Sequence, residues 1–238
     1  MDINFNTYNI LNIFKNKYAK KEFRIIGNEV QQSKTLEIQD AHFIVNKPWI
    51  VREPNYDYFN RELEWYLSES LNVNDIPNGA PKMWKACADQ LGYINSNYGW
   101  CIFSQDNGYQ YESCKQKLIN DPHTREAIMI YNRPSMQQDY NKNGMHDFMC
   151  CQNMQYFINE NNGISFLDCI SNFRSCDAVF GFNNDALWAQ YVQKKLVDDI
   201  NKENNNLNIK VGNLYWNAGS LHIYERHFKY LEDTEDIY

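Results

Sequence analysis

The fold of this chain is decided by one stretch, Gly144-Met145-His146-Asp147-Phe148-Met149-Cys150-Cys151-Gln152-Asn153-Met154-Gln155-Tyr156. Residues 148–158 and 164–175 predict two strands, and residues 159–163 predict the turn that joins them. The first cysteine of the pair therefore stands near the start of an apolar strand. Such a position is typical of a small buried side chain, or of a nucleophile if charged groups surround it.

Helices and strands alternate around this hairpin without a strict βαβ order. Apolar residues at helical spacing predict helices over residues 8–20, 57–69, 81–91, 110–119 and 185–200. Further strands are predicted over residues 35–45, 127–131 and 210–224. The pattern favours an α+β fold, with helices packed against a mostly non-parallel sheet. No glycine-rich phosphate loop is present, so a dinucleotide or nucleoside-triphosphate fold has little support.

Composition limits the function classes. The 238 residues suffice for one large domain, and 43% hydrophobic and 15% aromatic residues indicate a packed core. The formal charge of −7 argues against nucleic acid as the main partner. Seven cysteines in irregular spacing, without a CxxC pair, argue against a metal site and for free thiols in a reduced, cytoplasmic setting. Neither a signal peptide nor a membrane-spanning run is predicted.

Cys150 and Arg174 form the first candidate pair. A nearby guanidinium lowers the pKa of a thiol, so Arg174 would favour the nucleophilic thiolate of Cys150. Without such company the cysteine is better explained as a buried small hydrophobe. Arg174 and Ser175 could also clamp a phosphate, since arginine offers a fixed fork of donors. The alternative is a surface ion pair between Arg174 and Asp177.

Other polar candidates lie on predicted helices and strands. Glu62 is flanked by the apolar face of its helix, so it is either a partly desolvated carboxylate with a raised pKa or a solvated helix charge. His222 and Tyr224 lie two residues apart on a strand and face the same side. They could converge on one sugar hydroxyl or simply pack together. Asp185 opens a predicted helix, where aspartate is a favoured N-cap.

Taken in order and at these separations, the candidates resemble the thymidylate synthase family, and within it the branch of bacteriophage deoxycytidylate hydroxymethylases. The segments that carry the resemblance span most of the chain. They are Arg61-Glu62-Leu63-Glu64-Trp65-Tyr66, Ile94-Asn95-Ser96-Asn97-Tyr98-Gly99-Trp100, Ile128-Met129-Ile130-Tyr131, Arg133-Pro134-Ser135-Met136-Gln137, Asp147-Phe148-Met149-Cys150, Val179-Phe180-Gly181-Phe182, Asn184-Asp185 and Gly219-Ser220-Leu221-His222. A colinear set of this size is highly specific.

The resemblance implies a single domain over residues 1–238, built on a large bent mixed sheet with packed helices. It also implies a back-to-back homodimer with a shared active site. A phage nucleotide-synthesis complex is a further candidate partner. The implied reaction joins a one-carbon unit from 5,10-methylenetetrahydrofolate to C5 of a pyrimidine nucleotide, with no metal. The nucleotide of the hydroxymethylase branch is dCMP.

The resemblance also implies a role for each matching residue. Cys150 would attack C6 of the pyrimidine, with Glu62 and Tyr98 organising water and proton transfer. The remaining roles concern binding. They fall to Arg174, Ser175 and Arg125 for the 5′-phosphate, to His222 and Tyr224 for the 3′-hydroxyl, and to Trp84, Asp177 and Gly181 for folate. Thiolate addition makes C5 nucleophilic, and water rather than hydride completes the product in the hydroxymethylase branch.

Asp185 is expected to select the base. Thymidylate synthases carry Asn at this position, whose amide matches uracil. A carboxyl group can accept a hydrogen bond from the cytosine amino group and share a proton with N3, which favours dCMP over dUMP. The alternatives are a dUMP-directed methylase or hydroxymethylase, in which Asp185 is only a cap. A non-catalytic nucleotide-binding or RNA-binding relative is a third interpretation, disfavoured by the net charge.

Three positions depart from the family pattern. Arg125 stands alone where two adjacent arginines are usual, because the next residue is Glu126. Glu126 would either turn to a local basic partner or weaken phosphate binding. Cys151 follows the nucleophile where the synthases have His, and the sequence leaves open whether it could replace Cys150. The acidic end of the chain predicts a short solvated tail, whose ability to close over folate is open.

Overall fold

One mixed sheet organises the computed structural model, which describes residues 5–27, 32–140 and 142–232. Among these residues the strand order is β1-β2-β7-β5-β4-β3, with β6 beside β7. The strands are β1 (Arg24–Ile26), β2 (Ser33–Ile44), β3 (Ile128–Ile130), β4 (Cys151–Asn161), β5 (Ile164–Phe173), β6 (Cys176–Asp177) and β7 (Lys210–Tyr224). β5 and β6 run parallel to β7, and the other pairs are antiparallel. The predicted α+β class with a mixed sheet is therefore confirmed.

Eight α-helices lie in the described part of the chain. They are α1 (Thr7–Ala19), α2 (Tyr56–Leu67), α3 (Lys82–Cys87), α4 (Tyr98–Phe103), α5 (Gln110–Asn120), α6 (Met136–Asp139), α7 (Gly181–Glu203) and α8 (Lys229–Glu232). The predicted helices over residues 8–20, 57–69 and 110–119 match α1, α2 and α5. The helix predicted over residues 81–91 ends at Cys87, and α4 was not predicted. None of the described helices combines the length and apolarity needed to cross a membrane.

The helix α7 begins four residues earlier than predicted. Its N-cap is Phe180, whose side chain makes no capping hydrogen bond, so no cap residue marks the start in the sequence. Asp185 consequently lies in the second turn of the helix, and the alternative that it serves as the N-cap is wrong. Phe182, Ala186 and Ala189 are fully buried on the face that meets the sheet. This packing fixes the rotation of the polar residues between them.

The core between the sheet and α7 is largely aromatic. Phe173 of β5 and Trp216 of β7 stack with ring centroids 4.3 Å apart, and Phe182 meets Trp216 edge-on at 5.0 Å. Gly99 lets α4 approach α2 so closely that a Cβ at this position would lie 1.8 Å from the backbone oxygen of Tyr66. The two helices that carry predicted site residues are thereby held against each other.

Two expectations from the sequence are not tested by a single described chain. The back-to-back homodimer involves a second copy and stays a prediction. The acidic tail falls mostly on residues 233–238, which lie outside the described residues.

Candidate active site

A cleft of about 520 Å³ opens where α2, α7, β6 and the end of β7 meet. Ten of the residues predicted to form the site line it. They are Glu62, Trp84, Tyr98, Cys150, Ser175, Asp177, Gly181, Asp185, His222 and Tyr224. The fold thus brings together predicted site residues that lie up to 162 positions apart in the chain.

Cys150 reaches the cleft from the residue before β4. Cys151 begins the strand and is fully buried, and neighbouring side chains on a strand point to opposite faces. Only Cys150 of the pair lines the cleft. Cys151 is therefore a core residue and cannot reach the position of Cys150 without turning the strand over.

Arg174 holds the segment that carries Cys150. Its Nε donates to the carbonyl oxygen of Met149 at 2.9 Å, and its Nη2 donates to that of Phe148 at 2.5 Å. Nη2 also lies 3.6 Å from the Sγ of Cys150. The guanidinium stacks over the Phe148 ring, with the Cζ 5.1 Å from the ring centroid. The predicted Arg174–Cys150 pair is present, and the alternative of an ion pair with Asp177 is not seen among the described contacts.

Burial sets the net pKa of the Cys150 thiol. Burial raises the pKa of Cys150 to about 11, although the charge of Arg174 acts in the expected direction and lowers it. The carboxyl groups of Asp185 and Asp147 contribute to this rise. The predicted effect of Arg174 is therefore present, but desolvation, which the sequence does not reveal, outweighs it.

Glu62 is buried in α2, with 2% of its surface exposed, and its carboxyl group is surrounded by donors. Oε1 accepts hydrogen bonds from the Tyr58 hydroxyl and from Nε1 of Trp84, both at 2.8 Å. Oε2 accepts from Nδ2 of Asn184 at 2.8 Å. Burial raises the pKa of Glu62, and these hydrogen bonds oppose the rise. Of the two interpretations left open, the desolvated carboxyl group with a raised pKa is confirmed.

Asp185 faces the same cleft from α7. Burial raises its pKa to about 8, the negative charge of Glu62 adds to the rise, and a hydrogen bond from Tyr98 opposes it. Tyr98 is itself buried, at the start of α4. Asp185 is thus a carboxyl group that keeps its proton at neutral pH, with a hydroxyl group beside it.

His222 and Tyr224 face the cleft from the end of β7, as their spacing predicted. Their rings meet edge-on with centroids 4.7 Å apart, so they converge on the cleft and also pack together. Burial lowers the pKa of His222, which favours the neutral imidazole. Asp177 is fixed on β6, where its Oδ1 accepts from the backbone N–H of Val179 at 3.0 Å. A Cβ on Gly181 would lie 3.5 Å from the Cβ of Asp177, an ordinary contact.

Arg125 lies on the surface and does not line the cleft of its own chain. Its neighbour Glu126 forms an ion pair with Lys117, with Nζ and Oε2 3.1 Å apart. Of the two outcomes considered for Glu126, the turn toward a local basic partner is therefore the one observed. The predicted role of Arg125 at the phosphate of a second subunit stays a prediction.

Several residues of the cleft were missed by sequence reasoning. They are Tyr58, Tyr66, Pro81, Met83, Cys176, Phe180, Asn184, Arg226 and His227. Tyr58 stands four residues before Glu62 on one helix, so the i,i+4 spacing was a signal that could have identified it. Asn184 lies in the Asn184-Asp185 motif, but its contact with Glu62 depends on how α7 packs on α2 and could not be read from the motif. Among the described residues, no group of three acidic, cysteine or histidine side chains is arranged to hold a metal ion.

The cleft has the features of a site for a flat heterocycle. The walls of the cleft are partly aromatic and apolar, formed by Trp84, Phe180, Pro81 and Met83. Glu62 and the other carboxyl groups supply the polar contacts.

Comparisons with known proteins agree with the fold and the site. The family model for thymidylate synthase matches residues 31–235. Deoxycytidylate 5-hydroxymethyltransferase of Enterobacteria phage T4 is 50% identical over 200 residues, which cover 84% of this chain and 79% of the relative. The enzyme of the same name from Enterobacteria phage T2 matches to the same extent.

A solved structure supports the fold independently. Thermostable thymidylate synthase A from Bacillus subtilis superimposes with a TM-score of 0.63 at 18% identity, over 85% of this chain and 72% of the other. The ordered motifs, the mixed sheet, the cleft and these matches lead to one conclusion: the chain belongs to the thymidylate synthase family.

Proposed function

We propose that this chain is a deoxycytidylate 5-hydroxymethyltransferase, which converts dCMP, 5,10-methylenetetrahydrofolate and water into 5-hydroxymethyl-dCMP and tetrahydrofolate. The observation that carries the proposal is Asp185, a pocket carboxyl group whose pKa is raised to about 8. A protonated carboxyl group can donate to cytosine N3 and accept from the N4 amino group. Uracil presents the reverse pattern, and unpaired polar groups in such a site cost ~10²–10⁵ in discrimination. The matching phage relatives bear the same activity in their names.

Cys150 is the proposed nucleophile. Its sulfur would add to C6 of the pyrimidine, and electrons would then move onto the ring toward N3. The proton of Asp185 faces that developing charge and stabilises it. The addition makes C5 nucleophilic toward the one-carbon unit, which the bound folate supplies. Because the thiol pKa is about 11, the attacking thiolate is a minor form at neutral pH, and Arg174 is the group that favours it.

Glu62 is the proposed base for water. Once folate has left, a water molecule would add to the methylene carbon on C5 and pass a proton to the carboxylate. Departure of the Cys150 thiolate from C6 then restores the aromatic ring. The proton lost from C5 and the one lost from water balance the two N–H bonds formed in tetrahydrofolate. Tyr58, Trp84 and Asn184 hold the carboxylate in place for this step.

The remaining polar residues are proposed to bind the nucleotide and the folate. Arg174 and Ser175 would hold the 5′-phosphate, assisted by Arg125 of a second copy in the proposed homodimer. His222 and Tyr224 would hold the 3′-hydroxyl from the end of β7. Trp84, Asp177 and Gly181 would line the folate side of the cleft.

The test is a product assay with purified protein, 5,10-methylenetetrahydrofolate and either dCMP or dUMP, read by mass spectrometry. We expect a gain of one hydroxymethyl group on dCMP, with no dihydrofolate formed. Asp185→Asn should shift the preference toward dUMP. A methyl gain on dUMP with dihydrofolate formed would instead mean a thymidylate synthase, and no product from either nucleotide would reject the catalytic role.

A matched pair of variants tests the nucleophile. Cys150→Ala should bind dCMP without turnover, while Cys151→Ala should retain turnover because Cys151 lies in the core. Turnover by Cys150→Ala would contradict the assignment of the nucleophile.

A further inference from the structure

Two carboxyl groups share the cleft, and the proposed function requires them to differ. Glu62 on α2 acts there as a base, so it must be ionised, whereas Asp185 on α7 must carry a proton. The charge of Glu62 raises the pKa of Asp185, which shows that the two groups interact. Because both are desolvated, ionising both is unfavourable, so the pair is expected to hold one proton between them at neutral pH. The surroundings must decide which group holds it.

The surroundings of Glu62 favour its ionised form. Nε1 of Trp84 and Nδ2 of Asn184 can only donate, and they occupy one carboxyl oxygen each. The hydroxyl groups of Tyr58 and Tyr66 are the other two donors. Nε1 of Trp84 also donates to the Tyr58 oxygen at 3.0 Å, which directs the Tyr58 proton toward Glu62. Donors of this kind stabilise a carboxylate and disfavour its protonated form.

The surroundings of Asp185 are poorer in donors. Tyr98 is the donor that lowers its pKa, while burial, Glu62 and Asp177 all raise it. The other titratable groups that face the pair are the hydroxyl groups of Tyr58 and Tyr66 on α2 and the thiols of Cys150, Cys151 and Cys176. Four donors to Glu62 against one to Asp185 is therefore the asymmetry that the folded chain imposes on the two carboxyl groups.

We propose that Tyr58 and Asn184 are positioning residues that keep Glu62 ionised and thereby leave the shared proton on Asp185. The inference rests on the proposed function for its catalytic meaning, but not for the protonation states themselves. The sequence analysis assigned no role to either residue, although Asn184 lies in one of the motifs that carry the family resemblance. Asn184 is adjacent to Asp185 and donates a hydrogen bond to Glu62. One turn of α7 therefore carries one carboxyl group of the pair and contacts the other. Tyr58 acts from the opposite side, one turn before Glu62 on α2.

The protonation states can be measured without substrate. Infrared spectra of the purified protein are recorded between pH 5 and 10, and the carbonyl band of protonated carboxyl groups is followed. Asp185→Asn and Glu62→Gln assign the bands. In the unchanged protein, the band that persists at pH 7 should be the one that Asp185→Asn removes. In Asn184→Leu and Tyr58→Phe, a band removed by Glu62→Gln should persist to a pH that is higher by about 1 or more.

Activity supplies the second readout. In both variants the acidic limb of the pH profile of kcat/KM should move upward. Activity at low pH should fall about tenfold for each pH unit by which the acidic limb moves, and it should recover as the pH rises. Asn184→Gln, which keeps an amide donor, should restore part of the loss. An equal loss at every pH, with the Glu62 band unchanged, would overturn the inference. If the infrared result holds and dCMP is not turned over, the proposed function fails while the assignment of the proton stands.

Discussion

Replacing Asp185 with Asn is expected to stabilise the folded protein, and more so as the pH rises. The carboxyl group has a pKa of about 8 in the cleft, against 3.8 as its ordinary value. The folded state therefore holds a proton that the unfolded chain releases above about pH 4. Such a group destabilises the folded state progressively as the pH rises from its unfolded pKa to its folded pKa. Asparagine carries no proton to retain, so the variant escapes this loss.

The magnitude follows from the interval between the two pKa values. Within that interval, a rise of 1 in pH changes the free energy of unfolding by about 1.4 kcal/mol. The range from pH 5 to pH 8 lies inside it, which gives a difference of roughly 4 kcal/mol. Any effect of the substitution that does not depend on pH, such as a change in packing, cancels when the two pH values are compared.

The assay is urea denaturation of both proteins at pH 5 and pH 8, at one fixed protein concentration because oligomerisation would contribute to stability. Asp199→Asn is the control on the same helix. Burial raises the pKa of Asp199, but the hydrogen bonds from Lys195 and Tyr111 and the charge of Lys195 outweigh it. The pKa of Asp199 therefore lies below its ordinary value of 3.8. The stability from Asp199 is lost only as the pH falls below that value, so its variant should show no change between pH 5 and pH 8. An Asp185→Asn difference that is equal at both pH values would refute the raised pKa.

Three further predictions concern other parts of the molecule. Alkylation of Cys150 by iodoacetamide should be slow at pH 7, where the thiolate is about 10⁻⁴ of the total, and should rise about tenfold for each rise of 1 in pH toward pH 11, a dependence read by mass spectrometry. Gly99→Ala should lower the free energy of unfolding by about 3 kcal/mol or more, since the added methyl group overlaps the Tyr66 carbonyl oxygen, and a normal melting temperature would contradict this packing. Glu126→Gln should change stability by less than about 0.5 kcal/mol, because its ion pair with Lys117 is solvent-exposed, and a larger change in urea denaturation would show a coupling beyond that pair.

The elements that hold the site were predictable where the sequence signal is local. The helical spacing around Glu62 and the period of the strand that carries His222 both gave the correct face. The start of α7 was misplaced because Phe180 provides no capping side chain, whereas Asp185 has the chemistry of a cap. Packing against the sheet, rather than capping, sets where this helix begins.

The pKa values of the site residues were less predictable than the identity of the residues that form the site. The sequence correctly paired Arg174 with Cys150, but whether the thiol pKa ends above or below its ordinary value depends on burial. The same limit explains why Asn184 was missed. Its hydrogen bond to Glu62 joins two helices 122 residues apart in the chain, and no local pattern encodes that contact.

The first turns of α7 attach three consecutive side chains to three different segments of the chain, namely the loop before α2, α2 itself and α4. Asn183 donates to the backbone oxygen of Arg52 at 3.0 Å, Asn184 donates to Glu62 of α2, and Asp185 accepts from Tyr98 of α4. Inserting or deleting one residue at the start of α7 would rotate the following side chains by about 100° about the helix axis and break all three hydrogen bonds at once. Substitutions here can be accepted one at a time, but length changes cannot. The base preference proposed for Asp185 could therefore be changed by point substitutions within a helix of fixed length, but not by insertions or deletions in its first turns.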